Sequence, residues 1–98
     1  MNDKYILKGK EPVVCGDLME WAQWFKKADR HVAKTRKGDV RVSTVFLGLD
    51  HQYQEGPPLL FETMIFGGPH DQFQDRCSTW KQAEDMHKRA CEQAGIQS

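Results

Sequence analysis

The run from Val40 to Gly68 constrains the fold of this chain more than any other segment. It contains two stretches rich in β-branched and aromatic residues, separated by a polar loop that ends in Pro57-Pro58. Stretches of this composition, bounded by turn-forming residues, are typical of β-strands. We therefore predict strands over Val40–Leu49 and Leu59–Phe66. Both faces of the first strand become apolar towards its end, which predicts that this end is covered on both sides.

Further strands are predicted upstream. The sequence Arg36-Lys37-Gly38-Asp39 is typical of a tight turn and follows an extended segment, His31–Thr35. Together with the strand that begins at Val40, this segment predicts a β-hairpin. Tyr5–Lys8 and Val13-Val14 are two further short extended segments, separated by glycine and proline.

Two amphipathic segments predict helices. The first begins near Asp17, a capping residue followed three positions later by Glu20. Its expected apolar stripe consists of Leu18, Trp21, Ala22, Phe25 and Ala28. The second begins at Thr79 with Gln82 as its capping-box partner, and stops at Gly95. Its expected buried stripe consists of Trp80, Ala83, Met86 or His87, Ala90 and Ala94.

These elements predict an α+β fold in the order β(β)-α-β-β-β-α. An antiparallel sheet of three to five strands, with the two helices packed on one face, buries the apolar side of every element. A chain of 98 residues is long enough for one modest core. We expect a single domain over residues 1–98, with the last few residues frayed and a polar loop between Gly68 and Thr79.

Composition excludes several classes of protein. The formal net charge is zero, which argues against a nucleic-acid coat protein or a polybasic membrane binder. No apolar run approaches the roughly 18–20 residues that span a bilayer. The cysteines are odd in number and lack CxxC spacing, which indicates reduced thiols in a cytoplasmic protein. We expect Cys15 and Cys91 in the core, and Cys77 at a helix start, where the dipole lowers a thiol pKa.

Charge is segregated along the sequence. Lys26–Arg41 carries seven basic residues against two acidic ones, a local charge of +5. Arg36, Lys37 and Arg41 are therefore candidate binding residues for an acidic protein patch or a phosphate. A nucleic-acid binder is an alternative, since the α-β-β-β-α order is similar to that of double-stranded-RNA-binding domains. It is not favoured, because the last helix begins STWKQAED and lacks their basic cluster.

A second alternative is a small metal-dependent or acid/base enzyme that uses Asp50, His51 and Glu62. Asp50-His51 and His70-Asp71 contain metal-ligand types, but they flank opposite ends of Leu59–Phe66, roughly 26 Å apart. We therefore assign no metal, no cofactor and no catalytic residue.

Two polar residues on apolar surfaces have competing interpretations. Glu62 lies between Leu60 and Met64 on its face, so it has either a raised pKa or, as we favour, a partner across the sheet such as Arg41, a serine or a threonine. His87 falls on the apolar stripe of the last helix and is interpreted as a buried, hydrogen-bonded structural histidine.

Four strings in the chain resemble a widespread family of small uncharacterised proteins encoded by phages and prophages. They are DLMEWAQWF (17–25), RVSTVFLGLDH (41–51), GPPLLFETMIFGG (56–68) and STWKQAEDMH (78–87). The resemblance implies an accessory protein in the cytoplasm of an infected bacterium and transfers no activity. We expect a non-enzymatic protein, in one arrangement a homodimer, that binds a host or phage protein and inhibits a host factor or defence system. Arg36, Lys37, Arg41, Asp50, His51 and Glu62 are its candidate binding residues.

Overall fold

Six strands and two helices make up the part of the chain that the computed structural model describes, residues 3–52 and 55–96. In chain order they are β1 (Tyr5–Lys8), β2 (Glu11–Val14), α1 (Leu18–Lys27), β3 (His31–Lys37), β4 (Val40–Phe46), β5 (Phe61–Phe66), β6 (Gln74–Cys77) and α2 (Trp80–Gln93). The fold is α+β, as predicted.

The strands form two antiparallel sheets. β3, β4, β5 and β6 lie side by side in chain order, and β1 pairs with β2. The two sheets meet where Lys4 forms a bridge with Leu49 and where the Tyr5 N–H donates to the Gly48 carbonyl at 2.9 Å. This junction explains why β4 ends at Phe46 instead of continuing to the predicted Leu49. Leu47 still donates its N–H to the Leu60 carbonyl at 2.7 Å, and the chain then turns to meet β1.

One strand was not predicted. β6 occupies part of the segment between Gly68 and Thr79 that was expected to be a polar loop. Its sequence, QDRC, has no apolar alternation, yet it pairs with β5 from Phe61–Cys77 to Met64–Gln74. This strand therefore forms because it pairs with β5, and its own amino-acid composition contributes less.

The core lies between α2 and one face of the four-stranded sheet, which we call the inner face. Six alternating residues of β4 and β5 have no solvent exposure: Val42, Thr44, Phe46, Phe61, Thr63 and Ile65. α2 covers them with a buried stripe of Ala83, Met86, His87, Ala90 and Cys91. The helix has the predicted capping box of Thr79 and Gln82. It ends at Gln93 with Ala94 as its C-cap, and Gly95 (φ +77°) follows. Ile96 is buried and donates its N–H to the Cys91 carbonyl at 2.8 Å.

The predicted apolar stripe of α1 is only partly correct. Asp17 caps the helix as expected, by accepting from the Met19 and Glu20 N–H groups. Leu18, however, is 59% exposed. The helix instead contacts the protein through its aromatic residues: the Trp21 Nε1–H donates to the Gly48 carbonyl at 3.0 Å, and Trp24 packs edge-on against Phe46 at 5.7 Å between ring centroids.

Two turns at one end of the large sheet are in close contact. Gly67, which follows β5, has a φ of +88°, and a Cβ at this position would collide with the carbonyl oxygen of Asp39 in the β3–β4 turn. Only glycine satisfies both the backbone conformation and the approach.

Candidate functional site

The side of the four-stranded sheet opposite α2 is not covered by any described element. Strand register places eleven residues on it, and we call this surface the open face: His31, Lys34, Arg36, Arg41, Ser43, Val45, Glu62, Met64, Phe66, Gln74 and Arg76. None of the eleven is buried. The expectation that the end of β4 would be covered on both faces is therefore wrong, since Val45 is half-exposed next to the fully buried Phe46.

An apolar depression lies at the centre of the open face. Val45, Met64 and Phe66 line it, with Ser43 and Glu62 at its border, and its volume is about 180 Å³. The depression arises because alternate residues of β4 and β5 point away from α2. It is small, and suits one apolar side chain of a partner.

Positive charge surrounds this depression on the β3 side. Arg36 lies directly across from Arg41, and Lys34 across from Ser43. The Arg41 guanidinium lies over the Phe66 ring, 4.4 Å from its centroid, which is a cation–π contact. None of these three cations has a carboxylate within salt-bridge distance in the described part of the chain.

Glu62 is the one acidic group on the open face, and its charge is matched. Its Oε2 accepts from the Arg76 Nε at 2.9 Å and from the Gln74 side-chain amide. Its side chain is 14% exposed. Glu62 is thus paired across the sheet, as favoured, but its partner is Arg76 of β6. The named candidate Arg41 lies opposite Phe66 instead.

The remaining sequence-predicted residues lie elsewhere. Asp50 closes the loop before β5, since its Oδ1 accepts from the N–H groups of Gln52 at 2.8 Å and Leu59 at 3.0 Å. The His51 N–H donates to the Leu59 carbonyl at 3.1 Å. Lys37 pairs with Val40 beside the β3–β4 turn and is exposed. Only Arg36, Arg41 and Glu62 of the six candidates therefore share the open face.

The histidine–carboxylate pairs stay at separate ends of β5. Asp50 is hydrogen-bonded to Leu59 before the strand, whereas the Asp71 carboxylate accepts from the Gly67 N–H at 2.7 Å after it. Within residues 3–52 and 55–96, no group of three or more histidine, cysteine or acidic residues is placed to hold a metal ion.

Beneath the sheet, His87 belongs to a buried hydroxyl network. Its Nδ1 lies 2.7 Å from the Thr44 Oγ1 and its Nε2 lies 2.9 Å from the Thr35 Oγ1, while Thr44 also bonds to Thr63. Burial lowers the pKa of His87. The interpretation of His87 as a structural histidine is confirmed. Its threonine partners were missed, although Thr44 and Thr63 occupy inward positions of two apolar strands.

All three thiols have raised pKa values. Burial raises the pKa of Cys77 to about 11, opposite in direction to the lowering expected at a helix start. Cys15 and Cys91 are buried as predicted. Burial raises the pKa of both, and a hydrogen bond from the Cys15 thiol to the Glu20 carboxylate adds to the effect for Cys15.

The chain matches no protein-family model, no curated protein and no solved structure. Among the described residues, neither helix combines the length and the apolar character needed to cross a bilayer. Function is therefore inferred from the side chains of the open face themselves.

Proposed function

We propose that this protein is a non-enzymatic accessory protein of a phage or prophage that binds an acidic partner protein through its open face. The observation that carries the proposal is an uncovered sheet surface with an apolar depression beside unpaired cations. Exposed apolar surface bordered by polar residues is typical of protein interaction sites. The depression formed by Val45, Met64 and Phe66 would receive an apolar side chain of the partner.

Charge determines the chemistry of the partner. Within the described residues, Lys34, Arg36 and Arg41 form no salt bridge. Glu62, in contrast, is already neutralised by Arg76. The free charge of the open face is therefore positive. Complementary charge speeds association and suppresses wrong partners, so an acidic protein surface is favoured.

A second copy of this chain is a poor occupant of the same face. In a two-fold symmetric dimer the same patch meets itself. Both halves of such an interface would carry the same excess of positive charge, and neither offers a carboxylate outside an ion pair among the described residues of the face. A different protein is favoured over a homodimer through this surface.

Nucleic acid is also disfavoured as the occupant. Single-strand binders stack bases on exposed aromatic rings. Phe66 is the one aromatic residue of the open face, and the Arg41 guanidinium already lies over its ring.

The enzyme alternative has little support. Asp50 and Glu62 are engaged in separate hydrogen bonds, one to the backbone of a loop and one to Arg76. They do not form one acid/base pair.

The resemblance of four sequence strings to phage and prophage proteins supports a bacterial cytoplasmic setting, with a host factor or a defence protein as the partner.

The test compares two matched charge reversals during affinity purification from a bacterial host. Arg36→Glu/Arg41→Glu changes the open face, and Lys88→Glu/Arg89→Glu makes the same charge change on exposed positions of α2. A photo-crosslinking residue at Ser43 then reports direct contact. We expect the wild type and the α2 variant to retain one partner protein that crosslinks at Ser43, and the open-face variant to lose it.

Three outcomes would contradict the proposal. The open-face variant retains the partner as well as the wild type does, no protein crosslinks at Ser43, or the retained material is nucleic acid that elutes steeply with salt. The last outcome would favour the nucleic-acid alternative.

A further inference from the structure

A larger cavity lies away from the open face, between the β1–β2 hairpin and the first turn of α2. Its volume is about 590 Å³, within the roughly 300–1,000 Å³ typical of small-molecule sites. Tyr5, Pro12, Leu60 and Trp80 supply its apolar walls. Tyr5 and Trp80 pack against the buried Leu60 and Phe61, so these walls are held by the core of the protein.

The mouth of this cavity has an excess of positive charge. Lys8, Lys10 and Lys81 line it, against Glu11 and Glu84. Neither Lys8 nor Lys10 forms an ion pair in the described part of the chain. Lys81 pairs with Asp85 at 3.2 Å on the surface, where such pairs contribute little. The N-terminal end of the 14-residue α2 adds positive potential. An anionic group is the complementary ligand.

Trp80 supplies a second, independent observation. Its Nε1–H is buried and has no hydrogen-bond acceptor among the described residues. Buried indole N–H groups ordinarily find a partner, and an unpaired one costs about 1–3 kcal/mol. Trp21 shows the ordinary case, because its Nε1–H donates to the Gly48 carbonyl. Trp80 thus retains an unused donor next to the cavity.

One flexible side chain borders the indole of Trp80. The Lys10 ammonium lies over the Trp80 ring, 5.7 Å from its centroid. Lys10 is exposed and belongs to the turn between β1 and β2. Its displacement costs little, and the displaced ammonium remains close enough to pair with an anion at the mouth of the cavity.

We propose that this cavity binds a small organic anion with a flat apolar body and a carboxylate or phosphate group. The flat body lies against Tyr5 and Trp80, and an oxygen of the ligand accepts from the Trp80 Nε1–H. The anionic group pairs with the lysines at the mouth, which are Lys8, Lys10 and Lys81. This site does not depend on the open face, which is built from the other side of the sheet.

The experiment uses proton–nitrogen NMR of the full chain, in which three tryptophans give three indole N–H signals. The probe is 2-naphthoate, with 2-naphthylmethylammonium as a control of similar shape and opposite charge. We expect 2-naphthoate to shift the Trp80 indole signal saturably and to leave the Trp21 signal in place. The ammonium probe should bind at least about tenfold more weakly, a difference of about 1.4 kcal/mol.

Two matched variants test the charges. Lys10→Glu/Lys81→Glu should lose the response to 2-naphthoate, while Lys26→Glu/Lys27→Glu, with the same charge change on α1, should retain it. Unchanged Trp21 and Trp24 signals report that each variant is folded. A competition between 2-naphthoate and 2-naphthyl phosphate then assigns the preferred anionic group.

The proposal is overturned by any of three results. The two probes shift the Trp80 signal equally, which indicates apolar adsorption alone. The response survives Lys10→Glu/Lys81→Glu, or no probe shifts the Trp80 signal up to its solubility limit.

Discussion

The inner face and the open face are built from the same two central strands but have opposite properties. On β5, Ile65 is fully buried against α2, while its neighbour Met64 lies on the uncovered side. On β4, Val42 and Val45 divide in the same way. One helix covering one side of a sheet is enough to produce this difference. The inner face supplies stability, and the open face is available for binding.

The polar groups of the two faces differ as well. On the inner face, His87 and three threonines form one uncharged network. On the open face the polar groups are mostly ionised, and Glu62 and Arg76 neutralise each other. Buried polar groups need hydrogen-bond partners within the protein, whereas exposed cations are solvated by water and need none. The predictions below test this division.

The largest expected effect is a difference in stability loss between alanine substitutions at two neighbouring residues of β5. Ile65→Ala removes apolar atoms from a closed core and should lower the free energy of unfolding by about 2–5 kcal/mol. Met64→Ala on the open face should cost no more than about 1 kcal/mol. Urea unfolding of both variants measures the difference. Equal losses would show that the open face is covered in solution and would break the comparison.

The next effect is a pH dependence that arises only beneath the inner face. Burial lowers the folded-state pKa of His87 from its ordinary 6.5, so the unfolded chain binds the proton more readily. His87 therefore supports full stability above about pH 6.5 and loses it as the pH falls below that value. The slope for one proton is at most about 1.4 kcal/mol per pH unit.

Unfolding measured from pH 7.5 to pH 5 for His87→Gln, which cannot titrate, should show a flatter profile than the wild type. His70→Gln, at an exposed position, should keep the wild-type slope. A His87→Gln profile as steep as that of the wild type would remove His87 as the cause.

A smaller loss of stability is expected when the ion pair between Glu62 and Arg76 is removed. Glu62→Gln keeps the shape of the side chain but removes the charge that faces Arg76, and should destabilise the protein by about 1 kcal/mol. Amide hydrogen exchange should quicken in β6, which is an edge strand paired with β5. Asp85→Asn, in the exposed pair with Lys81, should leave both measurements nearly unchanged. If β6 exchanges at the wild-type rate in Glu62→Gln, the ion pair does not hold the edge.

The smallest single change is expected at Val45, which is compared with Val42 on the same strand. Val45→Thr adds a hydroxyl to the half-exposed open face and should change stability by about 0.5 kcal/mol or less. The same change at Val42 buries a hydroxyl in the core and should cost about 1–3 kcal/mol. Thermal unfolding of both variants is sufficient. A large loss at Val45 would indicate that this part of the open face is drier than its exposure suggests.

Local signals were the most reliable guide to the fold. The β3–β4 turn, the Thr79–Gln82 capping box and the stop at Gly95 each depend on residues close together in sequence, and all three were predicted. β6 was not, because QDRC carries no apolar pattern and becomes a strand only by pairing with β5. Leu18 was placed in a buried stripe because helical periodicity cannot say how much of a helix face meets the core.

The candidate site could be predicted only in part for a similar reason. Alternation along β4 places Arg41 on the side away from the core, and this much follows from the sequence. The partner of Glu62 does not, since Arg76 reaches it across a strand pairing that the sequence conceals. Asp50 was a candidate residue of the enzyme alternative, but its Oδ1 accepts hydrogen bonds from the backbone of its own loop.

The contact between Gly67 and Asp39 has a consequence for anyone who engineers this protein. The β3–β4 turn looks like a convenient place to graft an epitope, since the space around Gly38 is open. Its neighbour Asp39, however, presses its carbonyl against Gly67, so an insertion that shifts the backbone there would pull on the chain after β5 as well. Point substitutions at Gly38 that tolerate its positive φ are the safer modification, and Gly67 should be left untouched in any library.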